Sequence, residues 1–308
     1  MYTPLWTKTH GSFLEGASEP SEIIEQAVAL GLPHIGVTDR DGVYGIVQAH
    51  VAAKEHGIHL IVGSQITLDD GSLIVLLARD RPGYANLCRL ITTGRRRCPK
   101  GTSEVTWREV CEHAEGLIAL WGGERSRIAG EPEQFTCTND DDEPVEPVDL
   151  RQVATDLKDA FGDAVYALNV RHRRAEEVAR EKRLRRHAAE FEFPIVAGSE
   201  VLYHHRARRD LQDVMTCIRE GVTLSDAGRL IKPNAEHGLQ VIQQVVHVER
   251  FGVEFHQACL DPRHLQNVVD EGEEVFPAAP DRVQVLPLGR GQVRVALHQL
   301  RVPEDRIH

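Results

Sequence analysis

Two carboxylates stand two residues apart at the end of a short apolar stretch. Residues 34–37 (His-Ile-Gly-Val) carry no charge and are typical of a buried strand, and the polar stretch Thr38–Gly42 follows directly. In parallel α/β folds, sites are built at the carboxyl ends of strands. Asp39 and Asp41 are therefore candidates for a functional site at this strand end. The local alternative is a polar turn in which both aspartates cap the next helix.

A third carboxylate occupies a similar place later in the chain. Residues 194–197 (Pro-Ile-Val-Ala) predict another short strand, and Gly198 and Ser199 separate it from Glu200. Glu200 therefore also stands at the carboxyl end of a predicted strand, shortly before His204 and His205.

Strands and helices alternate around these residues, which predicts an α/β fold with a barrel-like or layered sheet. Predicted strands cover residues 2–9, 34–37, 59–63, 116–121, 164–170 and 194–197, and a hairpin around Asp69-Asp70-Gly71 joins 65–68 to 73–78. The first predicted helix follows the N-cap candidate Ser18 and has Pro20 in its first turn. The other predicted helices cover residues 43–56, 84–93, 107–114, 148–161, 173–191 and 209–220. In the last of these, Leu211, Val214, Met215 and Ile218 share one face.

Composition narrows the class of protein. The 308 residues are 41% hydrophobic, which is enough for a sizeable core, and the net charge of −11 argues against a chain built mainly to grip nucleic acid. No stretch predicts a signal peptide or a membrane span. The six cysteines are far apart and form no C-x-x-C pair, so we expect reduced thiols in a cytoplasmic protein.

Two charged segments interrupt the alternation. Residues 122–147 lack an apolar period and include the acidic run Asn139–Glu143, so we predict an exposed insertion there. Residues 95–101 are the most basic run, and their proline and glycine predict a solvated loop. The alternative is a loop that contacts nucleic-acid phosphates through Arg95, Arg96, Arg97 and Lys100.

Four blocks of sequence carry a resemblance to a known family. Phe13–Ser18, Gly36–Gly42, Leu76–Leu87 and Leu211–Arg219 resemble, in order and spacing, the PHP (polymerase and histidinol phosphatase) domain. More narrowly, they resemble the version at the N-terminus of bacterial C-family DNA polymerase III α subunits. Residues 95–101 and 233–236 favour the error-prone branch of that group.

The resemblance implies a fold and a setting. It implies a distorted (β/α)7 barrel for residues 1–240, with 122–147 as an insertion, and leaves 241–308 as an irregular extension that we expect to be poorly ordered. It also implies a role in DNA replication or translesion repair, beside a DNA polymerase core or another replication or repair protein. Direct DNA binding is expected to be weak or absent because the chain is acidic, and no membrane is expected to be involved.

The family's site holds up to three metal ions on histidines and carboxylates, and this sequence departs from that ligand pattern. Where the family has an opening pair of histidines, this chain has Trp6 and Lys8, and Glu15 stands in place of an aspartate. Arg40 replaces the family's histidine between Asp39 and Asp41, Gln65 replaces a glutamate, and Arg95 replaces a further histidine. Glu200 and Leu202 stand where the family has its late aspartate and histidine.

The departures predict ion pairs where the family has metal. Tryptophan and leucine cannot coordinate a metal, and Lys8 and Arg40 would repel one and could pair with Glu15, Asp39 or Glu200 instead. Gln65 and Arg95 are the other candidates for this polar pocket. We therefore expect no bound cofactor. The alternative is a weaker site for manganese, zinc or magnesium on Glu15, Asp39, Asp41, Glu200 and His10.

Three functions compete at this point. The first is a non-catalytic PHP-like scaffold derived from, or working with, an error-prone polymerase α subunit. The second is a metal-dependent phosphoesterase or 3′–5′ exonuclease, and the third is a fragment without an independent role. The segment 241–308 has no room for a polymerase core and carries none of the carboxylate set that two-metal nucleotidyl transfer needs.

Overall fold

The computed structural model describes residues 2–130 and 149–239, in which strands and helices alternate. The strands are β1 (Trp6–Thr7), β2 (His34–Arg40), β3 (His59–Thr67), β4 (Leu73–Ala78), β5 (Leu117–Gly122), β6 (Val165–Val170), β7 (Ile195–Gly198) and β8 (Glu200–Val201). The helices are α1 (Pro20–Ala29), α2 (Ile46–His56), α3 (Arg81–Arg97), α4 (Trp107–Glu112), α5 (Leu150–Phe161), α6 (Glu177–Phe191) and α7 (Arg209–Glu220). The predicted α/β class is confirmed.

Six of the strands form one mixed sheet in the order β2-β3-β4-β5-β6-β7. Strand β4 is antiparallel to both of its neighbours, and the other pairs are parallel. Strands β1 and β8 form a separate parallel pair that places Trp6 opposite Glu200. The described strands thus form a distorted barrel in two sheets, and the β2–β3 pair brings Arg40 opposite Gln65 at one edge.

Both faces of the main sheet are apolar, as expected when helices cover one face and a barrel interior fills the other. Neighbouring residues of β4 show the alternation, because side chains of a strand point to opposite faces in turn. Leu76 packs in the cluster that includes Leu87 of α3, whereas Leu77 packs in the cluster that includes Trp6. The interior cluster thus ends at β1, whose next residues enter the candidate site.

Strand β2 is longer than the predicted segment 34–37. It continues to Arg40 because its pairing with β3 continues to Gln65. Asp39 therefore lies inside the strand, while Asp41 follows it directly with a positive φ of 49°. The predicted limits of other elements also shift: β1 is shorter than 2–9, α2 begins at residue 46, and α6 begins at residue 177.

Helix α3 is longer than the predicted 84–93, and the predicted loop at Arg95–Arg97 is wrong. The helix ends at Arg97, and its C-cap residue Cys98 has the extended backbone (φ −91°, ψ 159°) that is favoured before Pro99. The three arginines therefore occupy the last helical turn, where positive charge is favourable next to unpaired carbonyl groups. Lys100 lies beyond the helix and is exposed.

The predicted N-cap of the first helix is also wrong. Glu19 is the N-cap residue of α1 and forms a capping box with Glu22. The hydroxyl of Ser18 instead accepts a hydrogen bond from the His204 N–H at 2.9 Å and lies 2.8 Å from His204 Nδ1. Ser18 thus joins the start of α1 to the segment before α7.

The prediction of an exposed insertion from residue 122 is wrong for residues 122–130. Ser126, Ile128 and Ala129 are buried, and Arg127 donates to the buried Asp70 at 2.5 Å. The sequence gives no sign of this because Arg127 reaches a partner more than fifty residues away. The rest of the predicted insertion and the predicted extension at 241–308 lie outside the described residues.

Candidate functional site

The buried carboxylate of Asp39 organises one wall of the pocket at the carboxyl end of β2. Its Oδ1 accepts the Thr9 N–H at 2.7 Å and the Ser12 hydroxyl at 2.7 Å. Its Oδ2 accepts the Thr9 hydroxyl at 2.8 Å and the Gly45 N–H at 3.0 Å. Asp39 therefore ties the loop after β1 to the N-terminus of α2, and both of its oxygens already have donors.

Asp41 has a separate set of partners. Its carboxylate accepts the Thr67 N–H at 2.7 Å and the Thr67 hydroxyl at 2.8 Å. Burial raises the pKa of Asp41 despite these bonds. Its carbonyl oxygen accepts from Arg95 Nε at 3.1 Å and Nη2 at 2.9 Å. The alternative in which both aspartates cap the next helix therefore holds for Asp39 alone, because only Asp39 accepts a backbone N–H at the start of α2, that of Gly45.

Lys8 lies between two carboxylates in the interior of the pocket. Its ammonium donates to Glu15 Oε2 at 2.9 Å and to Glu200 Oε1 at 2.7 Å. The Lys8 side chain is 4% exposed, and the two carboxylate side chains are 13% and 14% exposed. The β1–β8 pairing places Trp6 opposite Glu200, so the lysine two residues later is held beside that carboxylate.

Arg40 extends this cluster toward the mouth of the pocket. Its Nη1 lies 2.7 Å from Glu15 Oε1. Arg219 of α7 lies 4.0 Å from the same oxygen and donates to the Leu14 carbonyl at 3.0 Å. Glu15 thus has a cation on each side, and Asp39 takes no part in these ion pairs.

The remaining positions that match family ligands make other contacts. The indole N–H of Trp6 donates to Gln65 Oε1 at 3.0 Å, and both residues are buried. The guanidinium of Arg95 lies 5.9 Å from the centre of the Tyr44 ring. Leu202 packs with Ala17 in a small apolar cluster.

A group of residues on the far side of Glu200 was missed by the sequence analysis. The imidazoles of His172 and His237 are stacked at 3.7 Å, and His237 Nδ1 lies 3.7 Å from Glu200 Oε2. Lys232 Nζ lies 3.8 Å from Glu200 and 3.7 Å from Glu124. A signal was available for His172, which follows the end of β6 much as Asp41 follows β2.

The charges in the pocket stabilise one another. Burial by itself would lower the pKa of Lys8, but Glu15 and Glu200 outweigh burial and raise that pKa. Burial by itself would raise the pKa of both carboxyls. Lys8 and Arg40 together outweigh burial at Glu15 and lower its pKa. Lys8, Lys232 and His237 together do so at Glu200, whose pKa lies well below its usual range. The pKa of His237 is lowered to about 2, mainly by burial and to a smaller extent by the neighbouring His172. At neutral pH the cluster therefore holds an ammonium between two carboxylates, next to a neutral imidazole.

These shifts predict how stability depends on pH. A carboxyl whose pKa is lower in the folded state stabilises the fold above its ordinary pKa, and this contribution is lost as the pH falls through the folded-state pKa. For Lys8 the contribution is lost only as the pH rises through a folded-state value above its ordinary one. We expect the free energy of unfolding to be level between about pH 6 and 9 and to fall below about pH 5. Urea denaturation across this range should show a shallower acid slope for Glu200→Gln, and an unchanged slope would contradict the ion-pair assignment.

Several candidate residues do not reach the pocket. His10 is exposed. Arg97 pairs with Glu109 of α4, and Arg96 and Lys100 are exposed on the surface. Of the basic run, only Arg95 contacts the stretch that carries Asp39 and Asp41.

The donor set does not fit a resident metal ion. Protonated lysine and arginine have no lone pair to offer, and the carboxylates beside them already accept hydrogen bonds. Among residues 2–130 and 149–239, no group of three or more His, Cys, Asp or Glu side chains is arranged to hold a metal ion.

In the same ranges, no helix is long and apolar enough to cross a membrane.

Comparison with known proteins gives one family match. The model of the PHP domain matches residues 5–173. Among curated proteins, the chain is 38% identical over 255 residues to an error-prone DNA polymerase of Anaeromyxobacter dehalogenans, a match that covers 78% of this chain and 20% of the relative. It is 36% identical over 242 residues to the error-prone DNA polymerase of Pseudomonas aeruginosa, covering 79% of this chain and 21% of the relative. The chain thus spans about a fifth of the length of these relatives.

Solved structures give weaker likenesses. A two-domain protein of Bacteroides vulgatus containing a predicted PHP-like metal-dependent phosphoesterase aligns with a TM-score of 0.41 and 12% identity, covering 72% of this chain and 55% of that chain. Endonuclease Q in complex with a 27-mer duplex that has an abasic lesion aligns with a TM-score of 0.40 and 15% identity, covering 65% and 49%.

Proposed function

This chain belongs to the PHP domain family, and we propose that it is a non-catalytic PHP domain that works with an error-prone DNA polymerase in replication or translesion repair. In this proposal, the pocket that resembles the family's metal site is a structural ion-pair cluster. The observation that carries it is the Lys8 ammonium, which lies within 3 Å of both Glu15 and Glu200.

The cluster is arranged to keep metal out. A divalent ion in this place would have to displace a buried ammonium whose pKa is raised by the same two carboxylates. Removing Lys8 from its partners would leave buried charges without compensation, which is strongly unfavourable. Arg40 and Lys232 add positive charge on either side of the same carboxylates, so the local potential also opposes a cation.

The link to a polymerase is supported by sequence similarity. The matched region corresponds to the N-terminal region of error-prone DNA polymerases at 35–38% identity. The polymerase activity of those relatives belongs to much longer chains, so we propose for this chain a supporting role beside a polymerase rather than nucleotide transfer.

An activity assay tests the proposal against its main alternative, a metal-dependent phosphoesterase or 3′–5′ exonuclease. The purified chain would be incubated with nitrophenyl phosphate and with single-stranded DNA, in the presence of manganese, zinc or magnesium. We expect the same background rate for the unchanged chain, Glu200→Gln and the surface control Glu112→Gln, whose side chain is 51% exposed. Hydrolysis that Glu200→Gln abolishes and Glu112→Gln retains would establish the alternative.

A further inference from the structure

Helix α3 carries a line of arginines along its outer face. The buried face of the helix is formed by Gly83, Leu87, Leu90 and Gly94. Because successive residues of a helix are about 100° apart, Arg81, Arg89 and Arg96 lie on the opposite side, and all three are exposed. At a rise of about 1.5 Å per residue, the line is about 22 Å long. We call these three arginines the α3 stripe.

The α3 stripe has no carboxylate partner in the part of the chain that the structure describes. The side chains of Arg81 and Arg96 make no hydrogen bond or ion pair there, and Arg89 donates only to the neutral Asn86 amide, at 2.8 Å. Arginines elsewhere in the fold are paired, as Arg174 is with Glu124 at 2.9 Å. The positive charge of the α3 stripe is therefore left uncompensated.

Positive charge extends beyond both ends of the α3 stripe. Arg79 precedes the helix and Lys100 follows it, and both are exposed without a described ion-pair partner. Residues 79–101 contain seven lysines and arginines and a single acidic residue, Asp80, whose carboxylate caps α3 by accepting the Gly83 N–H. This segment is thus strongly basic within a chain whose net charge is −11.

The stability of the helix explains only one end of the α3 stripe. Arg96 lies in the last turn of α3, where positive charge is favourable next to unpaired carbonyl groups. Arg81 lies in the first turn, where the helix dipole disfavours a cation. The full line of arginines therefore needs a reason outside the helix itself.

The surface around the α3 stripe is polar. Large exposed hydrophobic side chains occur on three other described helices, at Val47 of α2, Val178 of α6 and Ile218 of α7, but not on α3. Protein interfaces usually have an apolar centre, whereas a nucleic-acid backbone is bound mainly through cations. The α3 stripe therefore fits phosphates better than a protein surface.

The same face favours a duplex over a single strand. Proteins that bind single strands stack unpaired bases on exposed aromatic side chains. The aromatic residue of α3 is Tyr84, which is partly buried and packs against the core of the sheet. A straight helix can follow a rigid duplex, and a line of about 22 Å corresponds to about six base pairs.

We propose that the α3 stripe binds the phosphate backbone of a duplex nucleic acid without reading its sequence. The prediction that direct DNA binding is weak or absent rests on the charge of the whole chain, whereas α3 presents its cations together on one face. The inference is independent of the proposed function, since it needs neither the ion-pair pocket nor a polymerase partner.

Fluorescence anisotropy of a labelled duplex of about 20 base pairs tests the α3 stripe. The full chain would be titrated at several salt concentrations with a chelator present, so that hydrolysis cannot interfere. We expect a dissociation constant of about 1–100 μM at about 50 mM salt. The logarithm of the affinity should fall against the logarithm of the salt concentration with a slope of about −2.7 or steeper, which corresponds to at least three phosphate contacts.

A triple variant removes the proposed contacts. Arg81→Gln, Arg89→Gln and Arg96→Gln combined should weaken binding at least about tenfold at about 50 mM salt and make the salt slope shallower by about 2.7. Arginine and glutamine are about equally good helix formers, so the helix should be retained.

A second triple variant is the matched control, since it removes the same charge from exposed cations that already have carboxylate partners. Its changes are Arg108→Gln, Arg151→Gln and Lys158→Gln. We expect the affinity for the duplex to change less than about threefold, because these cations do not belong to the basic segment.

Four results would overturn the proposal. Equal losses for the two triple variants would show that overall charge, and not α3, governs binding. Absence of binding at about 50 mM salt would remove the duplex as a ligand. Tighter binding of a single strand of equal length would replace backbone contacts with base contacts. Displacement of the duplex by polyglutamate at equal charge would indicate an acidic protein surface as the partner. Bound metal or hydrolysis, measured separately, concerns only the proposed function.

Discussion

Replacing Lys8 by methionine should lower the free energy of unfolding by about 3–5 kcal/mol, the usual cost of removing one partner of a buried ion pair. Methionine keeps most of the side-chain volume, so lost packing contributes little. The cost arises because Glu15 and Glu200 would face each other in a largely buried pocket without the ammonium that lies 2.9 Å and 2.7 Å from them. Chemical denaturation of the full chain at neutral pH measures the effect.

Two further variants show whether the loss comes from unpaired charge. Lys8→Met combined with Glu15→Gln and Glu200→Gln should recover much of the lost stability, because no isolated charge then remains. Lys158→Met, which breaks the exposed pair with Glu192, should leave the free energy of unfolding nearly unchanged, because solvent screens this pair. Equal losses for Lys8→Met and Lys158→Met would show that the pocket cluster is not a buried ion-pair site.

Asp39→Asn should be the second costly substitution, at about 3 kcal/mol, although the two side chains are nearly the same size. Each oxygen of Asp39 accepts a backbone N–H that cannot turn away, from Thr9 at Oδ1 and from Gly45 at Oδ2. An amide has one oxygen and one NH2 group. In either orientation, its NH2 group would oppose one of these donors in a fully buried place.

The matched control for Asp39→Asn is Asp80→Asn. Asp80 caps α3 by accepting one N–H, that of Gly83 at 2.8 Å, and asparagine is about as good an N-cap as aspartate. We expect a change below about 0.5 kcal/mol there. A similarly small change at Asp39 would mean that its carboxylate is not the anchor between the loop after β1 and α2.

The sequence was sufficient for the features that depend on local pattern. The stretch Thr38–Gly42 could be placed at a strand end from polarity alone, and the cations at positions 8 and 40 could be seen as incompatible with metal from side-chain chemistry. The partner of Arg40 could be narrowed only to three carboxylates. The structure selects Glu15, because Asp39 is surrounded by donors from Thr9, Ser12 and Gly45.

Features that depend on contacts between distant segments could not be derived in this way. His237 reaches Glu200 through a segment that returns to the pocket late in the chain, and no local pattern signals that return. For α7, periodicity shows which residues share a face, but it cannot show whether that face meets the chain's own core or another protein. The burial of Gln212 and Thr216 and the exposure of Leu211, Val214 and Ile218 show that this face does not pack against the part of the chain that the structure describes.

Metal binding by the purified full chain is the most direct test of the central claim that ion pairs have replaced a metal centre. The chain would be equilibrated with manganese or zinc, freed of unbound metal by gel filtration, and its metal content measured by mass spectrometry. We predict well below about 0.1 equivalent of metal, with no difference between the unchanged chain and Glu200→Gln, because a metal site needs several convergent ligands. One or more equivalents that Glu15→Gln and Glu200→Gln remove, and that Glu112→Gln does not, would contradict the account.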